Sequence, residues 1–191
     1  MTTPILEVAT SEVARFADGS LIELRPIGIS DGRLISNFVA QLSPETSYRR
    51  FLSAGRGVRN QWVAKLINAD QCDFLVYGAV AINEFGATLV AVAESIRDPR
   101  DEKRAEFALA AIDPWQNLGI GTLLTRHLAR VARSSGVAFW ETYGMADHPQ
   151  MAKVMEHVGT RISLDIDHGL SHAVYDLVGQ RPSSQVSPTR S

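Results

Sequence analysis

Three apolar segments in the middle of the chain follow one another with only short turns between them. They occupy residues 73–82, 88–96 and 105–112, and each is rich in residues that favour β-strands. Such short connections have no room for the crossover helix that parallel neighbours need, so we predict an antiparallel meander of three strands. The segment 97–104 carries four basic and three acidic residues, and we interpret it as the solvated tip of a hairpin.

Apolar periodicity predicts helices and further strands around this meander. The predicted elements are, in order, a strand at 20–27, helices beginning near residues 30, 44 and 62, the meander, a helix after 122, a strand at 137–143, a short helix at 148–158 and a hairpin at 162–178. This order predicts one α+β domain over residues 20–178, with a mixed, mostly antiparallel central sheet flanked by helices. We expect residues 1–19 to be a lead-in segment and residues 179–191, rich in Ser and Pro, to be a disordered tail.

Composition excludes several classes of protein. The chain has 191 residues, of which 45% are hydrophobic, and its net charge is only −2, so it is not an intrinsically disordered protein. The near balance of charge gives no reason to expect a nucleic acid as partner. No apolar run approaches the roughly 18 residues of a membrane span, and the first residues lack a basic segment, so we expect neither a membrane partner nor a signal peptide. The single cysteine, Cys72, excludes a disulfide framework and favours a cytoplasmic location.

The segment 116–122, Gln-Asn-Leu-Gly-Ile-Gly-Thr, lies between a predicted strand and a predicted helix. Its two glycines permit a tight turn, and the helix that follows directs unpaired N–H groups back at that turn, as in sites that bind phosphate. A Walker loop would have Lys before Thr122, and a dinucleotide-binding turn would have Gly in place of Leu124. We therefore predict a pyrophosphate site of another kind; the alternative is a simple turn between strand and helix.

Gln-x-x-Gly-x-Gly at 116–121 resembles the acetyl-CoA motif of the GCN5-related N-acetyltransferases (GNAT). The resemblance covers most of residues 20–178. Within that superfamily, residues 24–27, 42–51 and 105–108 are similar to the acetyltransferase domain of bacterial protein-lysine acetyltransferases of the Pat type. Those proteins often carry a second, regulatory or ligase-like domain, for which we expect this chain to have no room.

The resemblance implies that acetyl-CoA is the co-substrate and assigns a site to each of its parts. Its pantetheine arm would pair with the third strand of the meander, its pyrophosphate would lie on the N–H groups of the turn, and this strand would splay from the one at 137–143. The cofactor-binding residues implied are Leu109, Ala110 and Ala111 on the strand, Gln116, Asn117, Leu118, Gly119, Ile120, Gly121 and Thr122 in the turn, and His148, which stands where the family often has Asn.

The same resemblance implies that Glu106 is the general base. A lysine ammonium must lose its proton before the amine can attack a thioester, and a carboxylate on this strand suits that task. In the family a strand N–H, here near Ala110, donates to the thioester oxygen. The alternative for Glu106 is a solvated strand residue beside the charged segment. Met155 stands where many members have a Tyr that protonates the departing thiolate, so the resemblance implies no general acid at that position.

These observations predict an acetyl-CoA-dependent N-acetyltransferase whose acceptor is a primary amine, foremost a protein lysine. The alternatives are a small-molecule amine acetyltransferase and a non-catalytic CoA-binding sensor module. We expect no metal site, because His168 and His172 lie across a predicted turn and strand, and no cysteine is near them in the sequence.

Overall fold

The computed structural model describes residues 11–16, 19–51, 56–84, 86–147 and 149–179. These residues form one eight-stranded sheet with helices on both of its faces. The strands are β1 (Glu12–Arg15), β2 (Leu21–Pro26), β3 (Phe74–Asn83), β4 (Gly86–Asp98), β5 (Asp101–Ala111), β6 (Phe139–Met145), β7 (Thr160–Asp167) and β8 (Leu170–Asp176). The α-helices are α1 (Gly32–Gln41), α2 (Pro44–Phe51), α3 (Arg56–Ile67), α4 (Ile120–Ser134) and α5 (Gln150–Met155).

The order of strands in the sheet is β1-β2-β3-β4-β5-β6-β8-β7. All neighbours are antiparallel except β5 and β6, which run parallel. The parallel pair arises because α4 carries the chain from the end of β5 back to the start of β6, as a crossover helix must. The prediction of one α+β domain with a mixed, mostly antiparallel sheet is confirmed.

The sheet begins earlier in the chain than the expected start of the domain at residue 20. Glu12–Arg15, inside the segment expected to be a lead-in, pairs with β2. Glu12 also accepts hydrogen bonds from His127 and Arg130 of α4. Residues 1–10 and 180–191, the latter including almost all of the expected tail, lie outside the described residues.

The predicted meander is present, but its second hairpin is tighter than the charged segment suggested. Strands β4 and β5 continue through most of residues 97–104, and the turn consists of Pro99 and Arg100. Charged side chains tolerate this extension because the hairpin end is exposed, so they remain hydrated while the backbone pairs.

The strands β5 and β6 pair over only three positions and then separate. The last pair is Glu106 opposite Glu141, although β5 continues to Ala111 and β6 to Met145. Phe107 and Trp140 stack at this fork with ring centroids 4.4 Å apart, and both are buried. The expected splay is confirmed, and it leaves the edge of β5 that faces away from β4 unpaired beyond residue 106.

The helices cover opposite faces of the sheet around this fork. Glu94 of β4 reaches Trp62 of α3 and Arg50 of α2, whereas Leu109 of β5 lies against the first turn of α4. Glu94 pairs with Ala108, the residue before Leu109, so the two side chains point to opposite faces. Among the described residues, no helix is both long enough and apolar enough to cross a membrane.

Candidate functional site

The fork between β5 and β6 opens into a cavity of about 940 Å³. Its walls come from β5, the turn after it, α2, β6, α5 and the β7–β8 hairpin. This volume is at the upper end of the usual range for small-molecule sites, which suits a long ligand such as a coenzyme.

Most of the predicted site residues meet in this cavity. Those that line it are Glu106, Leu109, Ala110, Ala111, Gln116, Asn117, Gly119, Gly121 and Thr122. Two predicted residues do not line it: the Leu118 side chain is exposed, and the Ile120 side chain is fully buried in the core. Ile120 therefore has only its backbone to offer a ligand in the turn. His148 lies outside the described residues.

The turn before α4 has the geometry of an anion site. Asn117 and Gly119 have positive φ angles of 60° and 84°, and Gly119 is the N-cap of α4. The N–H groups of the first helical turn have no acceptor inside a helix, and the helix dipole adds positive potential at the same end. The turn therefore offers a cluster of backbone donors at the mouth of the fork.

Gly121 allows α4 to start close against β5. A Cβ added there would lie 3.1 Å from Cδ2 of Leu109. A larger residue at position 121 would therefore first displace Leu109, a residue of the predicted pantetheine strand. The sequence predicts this glycine as part of a tight turn, and the packing contact with Leu109 adds a second reason for it.

The Gln116 side chain holds the turn in place. Its Nε2 donates to the backbone oxygen of Ala111, at 2.9 Å, and to Oγ1 of Thr46, at 3.1 Å. Thr46 and Ser43 donate in turn to Oδ1 of Asp113. The residue that begins the glycine motif thus joins the end of β5, the turn and α2, a role that its position in the motif did not indicate.

Positive charge is concentrated at the cavity although the whole chain has a net charge of −2. Its lining includes Arg49 and Arg50 on the α2 side and Lys153 and Arg161 on the α5 side, against the single carboxylate of Glu106. Arg49 pairs with Glu45, and Arg50 with the buried Glu94. Because both arginines are paired, the remaining positive charge on the cavity wall comes from Lys153 and Arg161, and it favours an anionic ligand.

Glu106 and Glu141 face each other at the fork but differ in their surroundings. The Glu106 side chain is exposed and forms no hydrogen bond or ion pair with any described residue. Glu141 accepts a bond from Nη1 of Arg104 at 2.7 Å and contacts Nε2 of His172 at 2.8 Å. Burial works against its ionisation, but Arg104 and His172 outweigh burial and hold the pKa of the Glu141 carboxyl below its usual range. Glu106 is therefore the carboxylate available to exchange a proton with a ligand.

Met155 is fully buried and does not line the cavity. Tyr143 and Tyr175 do line the cavity. No group of three or more His, Cys, Asp or Glu side chains that could hold a metal ion occurs among the described residues.

Comparison with known proteins agrees with this architecture. No family model matches the chain. It is 29% identical over 141 residues to the acetyltransferase Pat of Mycolicibacterium smegmatis, an alignment that covers 74% of this chain and 41% of that protein. It is 28% identical over 119 residues to an acetyltransferase of Pseudomonas aeruginosa, covering 62% of this chain and 63% of that protein. The chain thus spans less than two thirds of the length of either relative.

Solved structures share the fold. The GNAT domain of S. lividans PAT superposes with a TM-score of 0.73 at 23% identity, over 87% of this chain and 97% of that one. The ribosomal-protein-S5-alanine acetyltransferase of Vibrio fischeri superposes with a TM-score of 0.67 at 9% identity, over 91% and 100% of the two chains. The predicted resemblance to GNAT proteins, and to the Pat type among them, is confirmed.

Proposed function

We propose that this chain, which has the fold of the GCN5-related N-acetyltransferases and has relatives named acetyltransferases, transfers an acetyl group from acetyl-CoA to a primary amine. The observation that carries the proposal is the fork itself. A single cavity there combines an unpaired strand edge, the N-terminus of α4 and a carboxylate that forms no hydrogen bond or ion pair with the described residues. An acyltransferase needs these three elements to hold the donor and to accept a proton from the amine.

The donor would lie along β5 and across the start of α4. The unpaired edge at Leu109, Ala110 and Ala111 offers backbone groups to the amides of pantetheine, as a neighbouring strand would. The turn at 116–122 offers N–H groups to the pyrophosphate. The cations on the cavity wall support a donor that carries several negative charges.

The reaction needs one proton acceptor and one hydrogen-bond donor. Glu106 accepts the proton of the acceptor ammonium, and the amine nitrogen then forms a bond with the thioester carbon. A backbone N–H near Ala110 donates to the oxygen on which charge develops. The carbon–sulfur bond breaks, the nitrogen of the new amide loses its second proton to water, and the CoA thiolate takes a proton from water.

We further propose a protein lysine as the acceptor and a cytoplasmic location. The first is supported by the likeness to Pat proteins. The second is supported by Cys72, a free and exposed thiol of the kind that stays reduced in the cytoplasm.

Glu106→Gln tests the proposal, with Glu102→Gln as the matched control. Glu102 lies on the same strand, is exposed and does not line the cavity. Glu106→Gln should lower turnover by about 100-fold or more, while calorimetry finds acetyl-CoA affinity within about twofold of wild type, because the substitution removes only the charge. Unchanged turnover would refute the role of Glu106. A wild-type protein that binds acetyl-CoA but acetylates no amine would instead be a sensor.

A further inference from the structure

Two aromatic rings stack on each other at the far edge of the fork. Tyr143 of β6 and His172 of β8 are directly opposite each other in the antiparallel pair. Their ring planes are 5° from parallel, with centroids 4.5 Å apart. Tyr143 is 56% exposed and lines the cavity. His172 covers one face of the Tyr143 ring, and Tyr143 is the member of the stack that lines the cavity.

This stack lies on the same face of the sheet as the proposed base. Glu106 is in register with Glu141, and strand alternation places Tyr143 on the same face as Glu141. Tyr143 is thus two residues beyond the last pair of the fork, diagonal to Glu106 and within range of its charge. Burial, and then the nearby carboxylates of Glu141 and Glu106, raise the pKa of Tyr143, so its phenol is neutral at physiological pH.

Glu141 fixes the two rings in place. His172 Nε2 lies 2.8 Å from Glu141 Oε2, and the Tyr143 hydroxyl donates to the same oxygen at 3.3 Å. Arg104 occupies the other oxygen of Glu141. Glu141 therefore holds the two rings in one orientation, and the negative charge of its carboxylate is balanced by Arg104.

A rigid aromatic face beside an available carboxylate is complementary to an alkylammonium chain. The methylene groups pack on the ring, while the ring face and the carboxylate both attract the cation. Across the cavity, Arg49 and Arg50 are each paired with a carboxylate of their own, Glu45 and Glu94, which reduces their repulsion of such a cation. Asp165 lies opposite His172 on β7 and adds negative charge on the same face.

We propose that Tyr143, backed by His172, is the residue that positions the alkylammonium chain of the acceptor against Glu106. The inference rests on the proposed function and adds to it the residue that selects the acceptor. It assigns Tyr143 to the acceptor and not to acetyl-CoA, so the two substrates should respond differently when this ring is removed.

Steady-state kinetics with acetyl-CoA and Nα-acetyl-lysine methylamide as the acceptor probe test this assignment. Tyr143→Ala should raise the KM for the lysine probe by about 5- to 20-fold, the range expected for a lost cation–π contact. The affinity for acetyl-CoA, measured by calorimetry, should stay within about twofold. Tyr143→Phe keeps the ring and should restore a KM near that of wild type. Tyr143→Leu keeps apolar bulk without the ring and should behave like Tyr143→Ala.

Tyr48→Ala is the matched control, because Tyr48 is also exposed but does not line the cavity. The inference is overturned if Tyr143→Ala leaves the KM for the lysine probe unchanged while the wild type acetylates it, and the proposed function then survives. It is also overturned if Tyr143→Ala weakens acetyl-CoA binding to the same extent, or if Tyr143→Phe is as impaired as Tyr143→Ala. A wild type that acetylates no amine would reject the proposed function together with this inference.

Discussion

Tyr77 lies in the middle of β3 with 1% of its surface exposed, beside the ring of His127 on α4 at a centroid distance of 5.2 Å. Burial raises the pKa of Tyr77 to about 12. The cause is that a phenolate in this position would lose its hydration without gaining a cation in exchange. A titratable side chain in the core therefore links stability to pH at the alkaline end of the range.

The sign of this linkage gives a prediction for Tyr77→Phe. The pKa of Tyr77 is higher in the folded state than in the unfolded one. The contribution of its neutral phenol to the free energy of unfolding is therefore fully present below about pH 10, and it decreases as the pH rises toward 12. Between pH 8 and pH 11 the wild type should lose about 1 kcal/mol more unfolding free energy than Tyr77→Phe. Urea denaturation at the two pH values measures this. Tyr48→Phe, which changes an exposed tyrosine, is the control variant. Equal losses of unfolding free energy in the wild type and in Tyr77→Phe would contradict the expectation.

Local side-chain bonds join the elements that surround the cavity. The glycine turn is attached to β5 and to α2 through Gln116, and the start of α2 is capped by Ser43, whose Oγ accepts from the N–H of Thr46. The position of α2 relative to the start of α4 therefore depends on a few polar contacts. At the other end of α2, Phe51 packs against the hydrophobic core and the Trp62 ring.

Gln116→Ala tests this junction. Removing the amide leaves the Ala111 oxygen and the Thr46 hydroxyl without this donor, which should lower the free energy of unfolding by about 1 kcal/mol and weaken acetyl-CoA binding several-fold. Gln41→Ala is the control, because Gln41 bonds only to its own helix on an exposed face.

A double-mutant cycle with Thr46→Val separates the junction from a direct contact with the ligand. If Gln116 acts through Thr46, the two substitutions should be non-additive in stability by about 0.5–1 kcal/mol. Strict additivity, with acetyl-CoA affinity lost only in Gln116→Ala, would mean that the amide binds the ligand itself.

At the scale of the whole molecule, the fork divides the sheet into two parts that meet over three residue pairs of β5 and β6. Below the fork, the stacked Phe107 and Trp140 join them. Above it, the cavity separates β5 from β6 and α5. A ligand that fills the cavity replaces the missing strand contacts, so its binding should stabilise the entire fold.

Thermal unfolding with added ligand measures this coupling. At about 100 times the dissociation constant, acetyl-CoA should add roughly 2.7 kcal/mol, which raises the Tm of a chain of this size by about 5–10 °C. ATP and NADH should shift the Tm by less than about 1 °C at the same concentration, because the turn has neither a Walker nor a dinucleotide-binding pattern.

Gly121→Val should abolish the shift given by acetyl-CoA, since a side chain there displaces Leu109 and blocks the turn. A full shift in this variant would mean that acetyl-CoA binds elsewhere. A shift of equal size with ATP would show that the cavity has no preference for the pantetheine arm.

The sequence by itself determined the features whose signal is local. The meander follows from three apolar runs with short connections, and the tight turn before α4 follows from glycines between a strand and a helix. Alternation along one strand places Glu106, Ala108 and Ala110 on one face of β5. These predictions needed no knowledge of distant residues, because backbone geometry repeats over two to four residues.

The tertiary structure decided what depends on residues far apart in the chain. The fork is at Glu106 because β5 meets β6 there, 35 positions later, at Glu141. Arg50 is the partner of the buried Glu94, and His172 stacks on Tyr143. Periodicity in the local sequence does not predict these long-range contacts. They result from the packing of the whole sheet and its helices, which decides which side chains share a face and which strand edges stay unpaired.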